Sequence, residues 1–362
     1  MNEIESGLCS VTVKEMTELL GRAYVTLLQT GTPLRSFPSV MLWGPPGVGK
    51  SQGVREIAGI IRRKTGKKTV ITDVRLLLFN PVDLRGIPTA NEDRTLAVWL
   101  KPKIFQMDES PDTVNILFLD EISAAPPSVQ AAAYQITLDR TVGEHTLPEN
   151  CIVIAAGNRA SDKSVAYNMP KALANRLCHF EIKGDAASWH DWAVKAGVHP
   201  YVTGYLEYNP SALMRFEPAG VGLAFPTPRS WEMVSGILNT VSADLEKVWP
   251  LVVGCIGYTA ASGFRSWTEL YASMPDAAKI FDGQKTEIPK AQELLIALRS
   301  VMVRYAAEHP EKTKIENAIT YACKLPWSFR GKLLHDFYLF PSLRPILREN
   351  EVFRTAIQSE QS

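Results

Sequence analysis

Two patterns of hydrophobic positions divide this sequence near residue 184. Up to that point, short apolar runs alternate with segments whose apolar residues recur at helical spacing, which is typical of strands alternating with helices. The predicted strands are 39–43, 69–73, 114–121, 151–156 and 178–182, and the predicted helices are 11–28, 52–64, 124–138 and 170–177. Such an alternation favours a parallel sheet with helices on both faces.

The second pattern begins after a boundary at residues 184–188 and is helical throughout. Its predicted helices, separated by Pro and Gly, are 189–196, 201–207, 228–239, 245–261, 291–308, 315–325 and 329–339. The predicted organisation therefore has three parts. Residues 1–37 form an N-terminal helix and linker, residues 38–184 an α/β core, and residues 185–362 a helical lid and C-terminal region.

Composition limits the class of protein. The 362 residues suffice for two domains, and 46% hydrophobic and 21% charged residues are ordinary for a soluble globular protein. A net charge of +1 gives no overall field that would demand nucleic acid. The longest uncharged run, 248–264, contains Pro250 and is too short for a membrane span. The five cysteines have no metal-ligand spacing, and we expect a cytoplasmic protein without a membrane partner.

A glycine-rich loop links the predicted strand 39–43 to the helix 52–64. Residues Gly44 to Ser51 fit the phosphate-loop pattern G-x-x-x-x-G-K-[ST] at every fixed position. Glycines let backbone N–H groups converge on phosphate oxygens, and the following helix adds the positive end of its dipole. We expect Lys50 to bind the β- and γ-phosphates and Ser51 to bind Mg²⁺. The predicted nucleotide-binding residues are Gly44, Pro45, Pro46, Gly47, Val48, Gly49, Lys50, Ser51, Gln52 and Asp120.

Two carboxylates end the predicted strand 114–121. An unbroken apolar run indicates a central parallel strand, and its carboxyl end lies at the edge of the sheet where ligands bind. There, Asp120 would hold Mg²⁺ opposite Ser51, and Glu121 would act as the general base for the attacking water. The alternative interpretation is a strand end that is merely solvated.

Other features remain open to two interpretations each. Asn158, at the end of strand 151–156, would contact the attacking water or the γ-phosphate, or would be a left-handed turn residue. The irregular segment 75–111, with Gly86, Pro88, Trp99 and Phe105, is either a loop region near the pore of a ring or a partner-binding face, or a surface excursion with one aromatic side chain packed inward. Residues 139–147 are predicted to form a short hairpin that turns at Gly143-Glu144.

The ordered set of motifs resembles the AAA+ ATPases, and within them the MoxR type, over about residues 10–240. Gly44–Ser51 matches the Walker A motif, Ile116–Glu121 matches the Walker B motif, and Asn158 lies at the sensor-1 position. The resemblance implies a P-loop NTPase αβα core with a parallel sheet, followed by an all-helical AAA+ lid domain. It also implies binding of ATP or ADP with Mg²⁺.

Two arginines take their roles from this resemblance. Arg176, in Ala-Asn-Arg-Leu, lies where MoxR-like proteins carry the arginine finger, and Arg229, in Thr-Pro-Arg-Ser, resembles the sensor-2 arginine of the lid. With Glu121 and Asn158 they complete the predicted catalytic set. A finger that serves the adjacent subunit implies head-to-tail contacts that close into a ring. The alternative for Arg176 is a surface ion pair with Glu181 or Asp185.

The resemblance implies a function as well as a fold. Members of the family form rings, usually hexamers, that couple ATP hydrolysis to the remodelling of protein clients, often with a partner that has a von Willebrand A domain. We therefore predict a chaperone-like ATPase ring. One alternative is a motor or loader acting on nucleic acid, although the nearly neutral hairpin at 139–147 offers no basic surface. Another is a nucleotide-bound scaffold, which would have no need of Glu121.

Overall fold

The structure is a computed structural model that describes residues 7–159, 169, 174–215 and 222–360, with side chains described as far as residue 355. The chain divides into two compact units, which meet in the sequence at Gly184 and Asp185.

The first unit is built on a sheet that is parallel throughout. The strands are β1 (Ser10–Thr12), β2 (Val40–Trp43), β3 (Lys68–Arg75), β4 (Ile87–Ala90), β5 (Ala97–Leu100), β6 (Thr113–Asp120), β7 (Thr141–Val142), β8 (His145–Thr146), β9 (Cys151–Gly157) and β10 (Cys178–Lys183). Within the described ranges, six of them form one sheet in the order β1-β10-β2-β9-β6-β3, and every neighbouring pair is parallel. The strands β4–β5 and β7–β8 form separate antiparallel hairpins.

Helices cover both faces of this sheet. They are α1 (Val13–Thr30), α2 (Lys50–Thr65), α3 (Pro81–Arg85) and α4 (Pro127–Asp139). Helices α1 and α2 pack together, with Met16, Leu20 and Ile57 fully buried, while α3 and α4 share a core with strands β6 and β9. Every residue of β9 is buried, which explains why the central strands are continuous apolar runs. The predicted αβα arrangement is confirmed.

Several boundaries differ from those predicted. Residues 11 and 12, predicted to be helical, belong to β1, because β10 offers them an open strand edge for pairing. Helix α1 begins at Val13, since the side chain of Thr12 accepts the Glu15 N–H at 3.1 Å and the Glu15 carboxylate accepts the Thr12 N–H at 2.8 Å. Residues 170–173 of the predicted helix 170–177 lie outside the described ranges, and of the described residues 174–177 only Ala174 is helical. The hairpin at 139–147 is present, with Gly143 and Glu144 as its turn.

The second unit is helical. Its helices are α5 (Ala186–Lys195), α6 (Pro200–Tyr208), α7 (Pro228–Thr240), α8 (Leu245–Ile256), α9 (Tyr258–Thr268), α10 (Ala277–Phe281), α11 (Gln292–Glu308), α12 (Lys312–Ala322), α13 (Trp327–Leu339), α14 (Arg344–Glu349) and α15 (Glu351–Glu360). They enclose two hydrophobic clusters, one around Trp231 and Phe264 and the other around Met302 and Phe337. An all-helical second domain is confirmed.

A buried ionic network ties four of these helices together. The guanidinium of Arg299 on α11 contacts Glu207 at 2.7 Å and Asp336 at 3.0 Å, and His190 lies 3.4 Å from Asp336. Burial alone would raise the pKa of Asp336, but the neighbouring His190 and the charge of Arg299 hold it below its ordinary value. Removing one partner of such a buried pair typically costs about 3–5 kcal/mol of stability.

The prediction of one continuous helix over 245–261 is wrong. It is interrupted at Gly257, whose φ of 78° and ψ of 159° leave the helical region. A Cβ there would lie 2.7 Å from the Ala224 carbonyl oxygen, so the close approach of residue 224 requires glycine. The helices α10, α14 and α15 were not predicted; α10 and α14 have only five and six residues.

No helix in the described part of the chain is long and apolar enough to cross a membrane.

Candidate functional site

The glycine-rich loop lies at the carboxyl end of β2 and opens directly into α2. Gly44, Gly47 and Gly49 have φ angles of 157°, 78° and 109°, which side-chain-bearing residues rarely adopt. A Cβ on Gly44 would also lie 2.8 Å from the Ile182 carbonyl oxygen. The loop therefore has the concave backbone that phosphate oxygens require.

Lys50 folds back across this loop. Its side chain is 9% exposed, and its Nζ donates to the carbonyl oxygens of Gly44 at 2.6 Å and Pro45 at 3.1 Å and to Asn158 Oδ1 at 3.0 Å. The ammonium group is thus held over the loop and next to the end of β9. An ammonium in that position provides the positive charge that phosphates bound by the loop would need.

A hydroxyl and a carboxylate face each other beside the loop. Ser51 Oγ donates to Asp120 Oδ2 at 3.3 Å, across from α2 to the end of β6. Mg²⁺ prefers hard oxygen ligands and is usually held by one or two protein oxygens together with waters and substrate phosphates. The Ser51–Asp120 pair fits that pattern. No cluster of three or more His, Cys, Asp or Glu side chains arranged for a metal was found among the described residues.

Glu121 stands in an unusual backbone conformation at the same edge. Its φ is 59°, in the left-handed region, and its N–H donates to Asp120 Oδ1 at 2.9 Å. The following residue, Ile122, donates to the Ala156 carbonyl at 3.0 Å, which holds the turn against β9. A left-handed non-glycine residue costs about 1–3 kcal/mol, and such strain is concentrated at functional sites.

Asn158 is fixed by a residue that the sequence analysis missed. Its N–H donates to Ser123 Oγ at 2.9 Å, and Ser123 is buried two positions after Glu121. A Cβ on Gly157 would lie 2.7 Å from the same oxygen, so glycine is needed there. Asn158 has no positive φ, which removes the interpretation of it as a left-handed turn residue. The only sequence signal for Ser123 was a polar residue in an otherwise apolar stretch.

Arg176 lies at the opposite edge of the sheet from these groups. It precedes Cys178, the first residue of β10, which is level with Val40, the first residue of β2. The phosphate loop follows the last residue of β2, so the two edges are separated by roughly 13 Å, taking about 3.3 Å for each strand residue. Arg176 is exposed.

The surroundings of Arg176 are basic. It borders a cavity of about 360 Å³ whose lining includes Arg35, Ser39, Asp139 and Arg140. Arg140 donates to the carbonyl oxygens of Cys151 at 3.0 Å and Phe37 at 3.2 Å, and burial lowers its pKa.

The predicted ion pair of Arg176 is not found among the described residues. Glu181 instead pairs with Arg159 at 2.8 Å. The side chain of Asp185 accepts the Ser188 N–H at 2.7 Å, at the start of α5 in the second unit. Arg176 therefore differs from Arg140 and Arg159, whose guanidinium groups are engaged within the subunit.

Arg229 belongs to the second unit. It is exposed in the first turn of α7, which is capped by Thr227, whose Oγ1 accepts the Ser230 N–H at 3.1 Å. The predicted residues thus fall into three groups. Lys50, Ser51, Asp120, Glu121 and Asn158 share one edge of the sheet, Arg176 lies at the other edge, and Arg229 lies on the helical unit.

The segment 75–111 contains the hairpin β4–β5, which was not predicted. Its Phe105 is fully buried, whereas Trp99 is only half-buried. Large apolar side chains that are about half or more exposed occur in the hairpin and in the residues before it: Leu77 (49%), Leu78 (74%), Val82 (52%), Ile87 (60%), Leu96 (66%) and Leu100 (57%). The hairpin rests on β7–β8, where His145 Nε2 lies 2.8 Å from the Trp99 carbonyl oxygen.

Comparison with known proteins agrees with this geometry. A family model described as "ATPase family associated with various cellular activities (AAA)" matches residues 39–179. A chain segment is 27% identical over 164 residues to "Chaperone MoxR1" of Mycobacterium tuberculosis. The matched segment is 44% of this chain and 38% of that relative, so the chain spans well under half of the relative's length.

Solved structures with a related outline include C. elegans PCH-2, with a TM-score of 0.36 and 13% identity over 72% of this chain and 69% of that one. A RuvB variant from Thermotoga maritima has a TM-score of 0.35 and 14% identity over 75% of this chain and 74% of that one. At these scores we infer nothing about function from either structure.

Proposed function

Because the chain carries an AAA+ ATPase domain of the MoxR-like type, we propose that it binds ATP with Mg²⁺, hydrolyses it, and acts as a ring that remodels protein partners. The family's general activity is nucleotide hydrolysis. The Mg²⁺ dependence, the ring and the protein partners are the parts that we propose for this chain.

The observation that carries the proposal is the convergence of Lys50, Ser51 and Asp120 on one glycine-rich loop. Three acceptor oxygens already direct Lys50 Nζ over the loop. When a nucleotide binds, Lys50 Nζ would exchange some of these acceptors for terminal phosphate oxygens. Ser51 Oγ and Asp120 Oδ2, 3.3 Å apart, would hold Mg²⁺, directly or through water. When bound, Mg²⁺ would supply charge neutralisation at the phosphates.

Glu121 and Asn158 would act on the attacking water. The left-handed backbone of Glu121 starts its side chain at the carboxyl edge of the sheet, and we assign it the role of accepting the water's proton. Asn158, fixed through Ser123 and linked to Lys50, would orient that water or the γ-phosphate. With these assignments, the base Glu121 and the orienting amide of Asn158 would act at the same carboxyl edge of the sheet.

A ring is supported by the position of Arg176. A phosphate loop needs an arginine for full transition-state stabilisation. Arg176 is exposed at the edge remote from its own loop, which supports the proposal that it serves a neighbouring subunit. Repeating that head-to-tail contact closes a ring, for which we propose six subunits by analogy with the family. Arg229 would contact the γ-phosphate of its own subunit and report it to the helical domain.

The exposed apolar surface around β4–β5 supports an interaction with protein. Isolated two-stranded hairpins are marginally stable in water, and exposed apolar patches mark interaction sites. The relative from Mycobacterium tuberculosis is described as a chaperone. We propose a protein client, together with a partner that carries a von Willebrand A domain.

We expect Trp99→Ala to weaken the coupling of a client to ATP turnover while basal hydrolysis is unchanged. Unfolding of this variant would instead favour a purely structural Trp99. A cytoplasmic location remains a prediction.

The direct test is hydrolysis of ATP by the purified full chain. We expect phosphate release that requires Mg²⁺, is abolished by a chelator, and rises in specific activity with protein concentration as subunits assemble. The absence of hydrolysis at any concentration with Mg²⁺ present would refute the proposed activity. A specific activity that stays constant down to a demonstrated monomer would refute the ring mechanism alone.

A further inference from the structure

A histidine links the strand before the phosphate loop to the turn that carries Arg176. Trp43 Nε1 donates to His179 Nδ1 at 2.9 Å, and His179 Nε2 lies 2.7 Å from the Ala174 carbonyl oxygen. The indole and imidazole rings are nearly coplanar, with centroids 6.1 Å apart and an interplanar angle of 14°, as an in-plane hydrogen bond between them requires. This chain of two hydrogen bonds is separate from the groups at the carboxyl edge.

The two bonds define the state of the ring. An indole N–H can only donate, so His179 Nδ1 must carry a lone pair. The hydrogen of the neutral imidazole is then on Nε2, which donates it to the Ala174 carbonyl. His179 therefore acts as an acceptor on one side and a donor on the other. A phenyl ring in its place would keep a planar side chain at this position but lose both hydrogen bonds.

The two ends of this hydrogen-bonded chain lie close in sequence to the phosphate loop and to Arg176. Trp43 is the last residue of β2 and directly precedes Gly44 of the phosphate loop. Ala174 lies two residues before Arg176, and its carbonyl oxygen also accepts the Leu177 N–H at 3.3 Å. Leu177 is 8% exposed and packs into the core of the first unit. The turn 174–177 is thus held by a buried side chain on one side and by His179 on the other.

We propose that His179 is a positioning residue for Arg176. It fixes the turn 174–177 against β2 through Trp43, so that Arg176 projects from one defined place at the amino edge of the sheet. The inference rests on the proposed function, in which Arg176 completes the site of a neighbouring subunit. Since a displacement of about 1 Å can cost 10²-fold in rate, a loose turn would weaken that contribution even with the arginine present.

The test is a double-mutant cycle in the assembled full-length protein. We expect His179→Phe to lower kcat by about 10- to 100-fold while the Kd for ATP changes by less than about twofold, because the phosphate loop of each subunit is intact. In an Arg176→Ala background the same substitution should have no further effect. Trp43→Phe, which removes the indole N–H together with part of the ring but leaves the His179–Ala174 bond, should act in the same direction.

His145→Phe is the matched control. It alters another half-buried histidine of the same unit that bonds a carbonyl oxygen, that of Trp99 rather than one in the turn 174–177, and basal hydrolysis should be unchanged. If His179→Phe slowed the Arg176→Ala protein by the same factor as the wild type, His179 would act elsewhere and the inference would be wrong. If Arg176→Ala were itself fully active in assembled protein, the role of Arg176 in the proposed function would be wrong. The activity of that single variant therefore tests the proposed function separately from the role of His179.

A second measurement does not depend on activity. Imidazole ¹⁵N NMR of the full chain should show the hydrogen of His179 on Nε2. A spectrum with the hydrogen on Nδ1, which would exclude the bond from Trp43, would overturn the inference even if the variants lost activity through misfolding.

Discussion

The two edges of the central sheet differ in how their polar groups are used. At the carboxyl edge, Lys50, Ser51, Asp120 and Asn158 are bonded to one another or to the loop within the same subunit. At the amino edge, Arg176 is exposed beside a basic cavity and has no ion pair among the described residues. Under the proposed function the carboxyl edge would hold the substrate, while the amino edge carries a charge about 13 Å from its own phosphate loop. The difference supports the proposal of a site shared between subunits.

The largest expected effect comes from removing the charge at the amino edge. An arginine supplied by a neighbour is typically worth 10³–10⁵ in rate, so Arg176→Ala should lower kcat by about that factor in assembled protein. Mixing Arg176→Ala subunits with Lys50→Ala subunits should restore some activity, because one kind of interface then pairs an intact loop with an intact arginine. Arg62→Ala, an exposed arginine on α2, serves as the control. Full activity of assembled Arg176→Ala would show that Arg176 contributes nothing to the site of a neighbouring subunit.

A smaller effect is expected from altering the base at the carboxyl edge. Glu121→Gln keeps the size of the side chain but cannot accept a proton, and general-base catalysis is typically worth about 10²–10⁴ in rate. ATP should stay bound while single-turnover hydrolysis slows by that factor. Turnover at the wild-type rate would show that another group accepts the proton.

Binding, rather than turnover, should respond to the lysine of the loop. Lys50→Ala removes a charge-assisted contact to phosphate, and we expect the Kd for ATP to rise by about 10- to 100-fold in calorimetric titrations. Lys67→Ala is the matched control, since this exposed lysine also donates to a carbonyl oxygen, that of Pro111 at 2.6 Å. Equal effects of the two substitutions would contradict a specific role for Lys50.

The smallest effect should come from the support of Asn158. Ser123→Ala removes a single hydrogen bond, worth about 1 kcal/mol, and should reduce kcat up to about fivefold with little change in ATP affinity. A loss as large as that of Glu121→Gln would mean that Ser123 contacts the reacting groups itself.

The parts of the site that could be predicted are those encoded by neighbours in sequence. The phosphate loop is readable because its glycines and Lys50 lie within eight residues, and the strand ending in Asp120 is readable because a central strand is apolar on both faces. Ser123 and His179 could not be found, because their roles depend on hydrogen bonds to Asn158 and Trp43, which are distant in the sequence.

The same distinction holds for the fold. The alternation of strands and helices predicted the αβα core, since burial imposes a local period on each element. The break at Gly257 was missed because its cause is the approach of residue 224 from another segment. The hairpin β4–β5 was missed because nearly all of its residues are exposed, which leaves no alternation of apolar and polar positions to detect.

The order of the strands also bears on solubility. The outer strands of the sheet are β1 and β3, and outer strands expose backbone groups that can pair with another molecule. β1 has only three residues, and β3 begins and ends with the charged side chains of Lys68 and Arg75. Both are poor templates for edge-to-edge aggregation. Without residues 10–12, the outer strand would be β10, which is twice as long and contains Phe180 and Ile182. The three residues of β1 thus shield a strand that would otherwise invite self-association.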